Sequence, residues 1–122
     1  MVRYAGRNEL PDYLSLSDCS IFFIRPTYSK IASSPTKHAE LMGMGIPVIC
    51  NSIGDTGYVI EDTQSGSVVK DFTDEEYDKI IDRIPALLSI EKEKIRQGAF
   101  KYFDLEKGAG QYLQVYKRIL GE

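Results

Sequence analysis

One stretch gathers the residue types that could do chemistry: Ser33-Ser34-Pro35-Thr36-Lys37-His38-Ala39-Glu40-Leu41-Met42-Gly43-Met44-Gly45-Ile46-Pro47-Val48-Ile49. It reads as a loop, a helix and a buried strand in quick succession. Ser34 suits an N-cap, because its hydroxyl can accept from amides of the first turn. Pro35 then falls at the first helical position, where its missing N–H costs nothing. Gly45 ends the helix, since a residue without Cβ enters the left-handed cap conformation unstrained. Ile46, preceding Pro47, is driven to an extended conformation, so the strand starts there. The first turn therefore points free N–H groups and the Lys37 cation at whatever lies in front of it. In outline that is an anion site.

Glu40 follows Lys37 by three residues and shares its helix face. Two uses stay open for it: a simple i,i+3 salt bridge, or acceptance of hydrogen bonds from a ribose diol, as acidic residues do in dinucleotide sites. His38 is the only histidine. No Cys/His spacing for zinc and no Ser-His-Asp arrangement accompanies it, so it reads as structural or exposed. Glycine-rich phosphate loops of the GxxxxGK[ST] and GxGxxG types are absent.

Elements must carry this stretch to a common edge. Val2–Ala5 is expected as a first short strand, stopped by Gly6, and Leu10–Leu16 as a brief helix with Pro11 in its first turn. The run Ser20–Ile24 predicts a strand buried on both faces, and Arg25–Ser34 a loop. Val48–Cys50 is the next buried strand. Gly54–Gly57 makes a turn, Tyr58–Glu61 starts a short helical segment, and Gly66–Val69 is a fourth, weaker strand. From Thr73 the period turns helical. Thr73 with Glu76 has the spacing of a capping box, and Tyr77, Ile80, Ile81, Ile84 and Leu88 fall on one face. Pro85 should kink or end that helix. Ser89 is expected to cap a second, with Ile95, Ala99, Tyr102 and Phe103 inward. Asp104 caps a third, with Ala109, Tyr112, Leu113, Tyr116 and Leu120 on one side, for core packing or an interdomain contact.

This alternation predicts an α/β fold: a small Rossmann-like parallel sheet of about four strands followed by C-terminal helices, with residues 1–122 as a single domain. Four strands are fewer than such nucleotide-binding domains usually have, and no crossover helix precedes the first. The chain is therefore expected to be the C-terminal piece of a larger domain. Ligands bind at the carboxyl edge of open parallel sheets. Gly6 and Arg7, then Arg25, then the loop bearing Lys30, Ser33 and Ser34 should meet there. With Thr36 and Lys37 they would suit a diphosphate; solvated loop charges remain the plain alternative for Arg25 and Lys30.

Composition sets the class. The 122 residues are 43% hydrophobic and 27% charged, as in ordinary globular proteins. A net charge of -3 argues against a nucleic-acid surface, which would want a basic excess. No apolar run reaches membrane-spanning length and no signal-peptide core opens the chain. Cys19 and Cys50 lie at the edges of apolar runs and read as buried, reduced thiols. A cytoplasmic protein is the expectation.

From Ser34-Pro35-Thr36-Lys37 through Glu40-Leu41-Met42-Gly43-Met44-Gly45-Ile46-Pro47-Val48-Ile49, the sequence resembles the "group 1" family of GT-B glycosyltransferases. Leu14–Phe23 is similar to that family's helix, Ala-Asp, strand segment, Asn51–Glu61 to the loop after its next strand, and Gly66–Val69 to the strand beyond. The resemblance implies the C-terminal part of a nucleotide-sugar-binding domain, with the acceptor held by an N-terminal domain not in this chain. It implies a donor bound without metal or cofactor, and a whole enzyme able to associate peripherally with a membrane. The family's ribose-binding glutamate falls on Glu40, and its base rests where Gly6–Leu10 lies. Its sugar-contacting glutamate would fall on Ala32, a departure that bears on sugar recognition. Two other readings stand beside this one: a non-catalytic α/β interaction module or relic with a disused cleft, and a nucleotide-sugar epimerase of related architecture whose catalytic groups would lie elsewhere.

Overall fold

A computed structural model describes residues 4–121. Its sheet is parallel, with three strands among the described residues in the order β1 (Ser20–Phe22), β2 (Val48–Asn51), β3 (Gly66–Val69). Val48 stands beside Ser20 on one side and Gly66 on the other. Seven helices surround it among those residues: α1 (Leu10–Ser15), α2 (Tyr28–Ile31), α3 (Thr36–Gly43), α4 (Thr56–Thr63), α5 (Asp74–Leu88), α6 (Lys92–Phe103) and α7 (Leu105–Leu120).

The α/β class is as expected; the strand count is not. Three strands replace the anticipated four. Val2 and Arg3 of the expected first strand lie outside the described residues, and Tyr4 and Ala5 are in no strand.

Period-2 alternation along β2 sorts the core. Val48 and Cys50 face one way, joining Phe22, Leu41, Ile46, Ile60 and Val68 beneath α3 and α4. Ile49 faces the other way, with Val69, Ile80 and Leu87 beneath α5. A third cluster, Met42, Val59, Ile95 and Ala99, clamps α6 onto the outer faces of α3 and α4. Burying each such Ile, Leu or Met side chain contributes about 1.5–3 kcal/mol.

β1 is shorter than its apolar run and is not covered on both faces. Ile21 pairs in register with Ile49 and is 63% exposed, because α5 covers β2 and β3 but stops short of this edge. The expected loop 25–34 contains the single turn α2. α4 begins at Thr56, inside the expected turn. The Thr56 hydroxyl accepts from the Ile53 amide at 2.9 Å and lies 2.9 Å from the Asn51 and Ile53 carbonyl oxygens, which closes the turn tightly enough to enter a helix.

Thr73 caps α5 by accepting from the Glu76 amide, but Glu76 turns its carboxylate to the Lys70 amide, so the box is only half formed. α5 runs through Pro85 to Leu88. Ser89 closes α5, its hydroxyl donating to the Ala86 carbonyl at 2.7 Å, and does not start α6, whose N-cap is Glu91. Asp104 caps α7 as expected, accepting from Lys107 at 2.7 Å. No residue of α7 is buried, so its apolar side is not part of this core. No helix of the described residues is long and apolar enough to cross a membrane.

One close approach holds two strands of the sheet together, and a second glycine shows the opposite case. A Cβ on Gly66 would strike the backbone carbonyl of Val48. Gly66→Ala should therefore push β3 off β2 and cost more than about 3 kcal/mol, seen as loss of the cooperative thermal transition by circular dichroism. Gly43 has open space where its Cβ would stand. Gly43→Ala should instead raise stability by up to about 1 kcal/mol through helix propensity alone.

Candidate functional site

α3 and the strand after it are joined by a Schellman cap. Gly45, at φ +73°, donates its N–H to the Met42 carbonyl at 2.9 Å, and Ile46 donates to that of Leu41 at 3.0 Å. Leu41 and Ile46 share one core cluster, the apolar contact that accompanies this cap. The helix is thus held by its C-terminus against β2, with its N-terminus at the carboxyl edge of the sheet. That end differs from expectation in one respect. Pro35, not Ser34, occupies the N-cap position, and its side chain has no acceptor with which to cap the turn. The Pro35 carbonyl accepts from the His38 amide at 2.9 Å. With no side-chain acceptor over the first turn, amides at Thr36 and Lys37 stay available to an anion.

The expected residues divide into two groups. Arg7 and Glu40 come together, lining with Leu10, Leu14 and Gly43 a concavity of about 220 Å³ between the Gly6–Leu10 loop and α3. Gly6 shapes that loop: its carbonyl accepts from the Glu9 and Leu10 amides, and its N–H donates to the Glu9 carboxylate at 2.8 Å. On its other side Glu40 borders a second concavity, of about 720 Å³, against Phe100 and Phe103. Glu40 and Lys37 make no ion pair among the described residues. Lys37 instead sets its ammonium 4.6 Å from the Phe22 ring centroid, at the carboxyl end of β1.

Arg25, Lys30, Ser33 and Ser34 do not join Glu40. None of them lines either concavity. Lys30 and Arg25 are exposed, and the Ser33 hydroxyl donates to the Lys30 carbonyl at 3.0 Å. Their loop rests on the β2–α4 turn, since a Cβ on Gly54 would stand 2.8 Å from the Ile31 carbonyl oxygen and 3.2 Å from that of Ser33. It reaches the expected edge without closing on the Lys37 turn.

Two residues matter more than their sequence signals implied. Asn51, at the end of β2 and 5% exposed, donates to the Ile24 carbonyl and accepts from the Ile24 amide, both at 2.8 Å. Its side chain extends the sheet ladder one step and so aims the segment leading to Arg25. A polar residue ending an apolar run was the available signal. His38 is 1% exposed, with its ring edge-on to Phe22 at 6.0 Å and to Phe103 at 5.5 Å between centroids. Its Nε2 has no hydrogen-bond partner, and burial holds its pKa down to about 4, below the ordinary 6.5. It is a wedge under the site, not a proton carrier within it. Cys19 and Cys50 are free thiols, as expected, but only Cys50 is buried, Cys19 being half-buried; burial pushes Cys50 up to about 11, which keeps it protonated and unreactive.

Compared with protein-family models, curated proteins and solved structures, the chain matches none.

His38 makes the site's foundation sensitive to acid. The unfolded chain binds a proton here near pH 6.5 and the folded one only near 4, so stability is complete above 6.5 and falls as pH drops through that window. The loss should be on the order of 2 kcal/mol, allowing for solvent screening. Urea titrations between pH 7 and 4 check this, and His38→Leu should flatten the slope in that window.

Proposed function

We propose that this chain is the donor-binding part of a GT-B glycosyltransferase and holds a nucleoside-diphosphate sugar along α3, from Glu40 back to its first turn. One observation carries the reading. Glu40 shares a concavity with Arg7 and Leu10, on the loop to which the family resemblance assigns the base. A nucleoside lying there would offer its ribose diol to the Glu40 carboxylate. Its phosphates would then run one turn back along α3, toward the uncapped amides of Thr36 and Lys37. Anions at a helix N-terminus gain from both the free N–H groups and the dipole.

The chemistry assigned to the chain is electrostatic. Transfer breaks the bond between the sugar's anomeric carbon and the diphosphate oxygen, and negative charge grows on the departing diphosphate. Helix amides and Lys37 oppose that charge, and such preorganised donors are worth most where water is excluded. The acceptor and the groups that act on it belong to the N-terminal domain that the resemblance implies. The Ala32 position, on the C-terminal side of α2, supplies no carboxylate to the sugar. The residues in hand therefore speak for the nucleotide more than for the sugar, and this chain alone should transfer nothing.

Titration with UDP- and GDP-sugars, followed by amide chemical shifts, tests the reading. Shifts should saturate from Thr36 to Glu40 and around Arg7. Glu40→Gln should weaken binding roughly tenfold, the loss of a charge-assisted hydrogen bond pair, and Lys37→Ala should abolish it at the same ligand concentration. Unmoved amides from 36 to 40 at millimolar ligand would favour a non-catalytic interaction module.

A further inference from the structure

At the β3 edge of the sheet, a groove of about 460 Å³ runs between α4 and α5. It shares no lining residue with the two concavities beside Glu40. Three cations line it, Lys70, Arg83 and Lys94, against one carboxylate, the exposed Glu61. Neither Arg83 nor Lys94 forms an ion pair among the described residues. Lys94 spends one N–H on the neutral Gln64 Oε1 at 3.0 Å and keeps the rest.

Among the groove's lining residues Ser67 is 2% exposed, and its hydroxyl is buried without a hydrogen-bond partner. Buried hydroxyls are rarely left so, because water has been lost and nothing has replaced it. Ser67 pairs in register with Ile49, which places its side chain on the α5 side of β3, where Leu87 forms the wall. Ala86 and Ile90 continue that wall.

We propose that this groove is a second binding site, taking a phosphate monoester with an apolar body. The guanidinium of Arg83 forks onto two phosphate oxygens, a geometry that planar Arg offers and Lys does not. Lys94 and the Ser67 hydroxyl supply further donors to the dianion. The apolar body lies on Ala86, Leu87 and Ile90. The cavity volume is within the range of small-molecule sites, which pair an apolar lining with a few convergent polar groups.

The test uses the full 122-residue chain and phenyl phosphate as probe, read by amide chemical shifts, with inorganic phosphate and phenol as separate arms. Phenyl phosphate should produce saturable shifts at Ser67, Ala86 and Leu87, whatever it does at the separate α3 turn. Inorganic phosphate should bind the same residues roughly tenfold more weakly, and phenol should not bind. The R83A/K94A double variant, altered only at exposed positions, should weaken phenyl phosphate at least tenfold or so. Ser67→Ala, which removes an unpartnered hydroxyl and leaves the fold intact, should weaken it as well. Absence of saturable shifts at Ser67, or shifts unchanged in the double variant, would overturn the site. Equal shifts with phenol would reduce it to an apolar patch, and equal affinity for inorganic phosphate would remove the apolar body. Because the glycosyl-donor reading concerns α3, nucleotide-sugar binding can fail while this site stands, and the reverse.

Discussion

The junction between α3 and β2 is the constraint from which the rest follows. Only the cap residues separate the last helical turn from a strand buried on both faces. Gly45 can reverse the chain there because it has no Cβ, and its φ of +73° would strain any other residue. Its neighbourhood is closed too, since a Cβ would stand 2.8 Å from that of Lys92 at the start of α6. The cap thus fixes three things together: the direction of α3, the start of β2 and the seat of α6. With the helix pinned at this end, its first turn has one place to be, the carboxyl edge of the sheet.

Packing beneath that turn is aromatic. Phe22 ends β1 and meets His38 on one side and Lys37 on another, while Phe103 closes over the imidazole from α6. The polar surface of α3 therefore rests on a layer whose only titratable member is kept neutral by burial. A charged His38 would add like charge beside Lys37 and lose hydration at once. The same layer couples α6 to the N-terminal half of α3, so a disturbance at either is felt at both.

α6 is tied down a second time on its outer side. Asp62 of α4 accepts from Lys101 at 2.6 Å and from the Tyr102 hydroxyl at 2.7 Å. Those hydrogen bonds draw the Asp62 carboxyl below its usual range. α7, in contrast, leaves this clamp at Asp104 and buries none of its length. The buried core is that of the sheet with α3 to α6.

Much of this was legible before any coordinates. β2 and β3 are local apolar runs, Gly45 and Pro47 punctuate the helix and strand between them, and Thr73 and Asp104 cap helices by chemistry confined to three residues. The nearness of Glu40 to the Gly6–Leu10 loop was an expectation of the family resemblance, which gave the ribose to one and the base to the other. Such signals are short-range, so the chain carries them wherever it goes. Tertiary structure decided what depends on a neighbour far away in sequence. Ile21 is as apolar as Ile49 beside it, yet it is exposed because α5 does not extend over β1. Arg25 and Lys30 are as cationic as Arg7, yet only Arg7 shares a concavity with Glu40, because loop 25–34 settles on the Gly54 turn instead. The amino-acid sequence determined which segments became helix and strand and where they had to turn; which faces were covered and which charges converged was set by packing between segments dozens of residues apart.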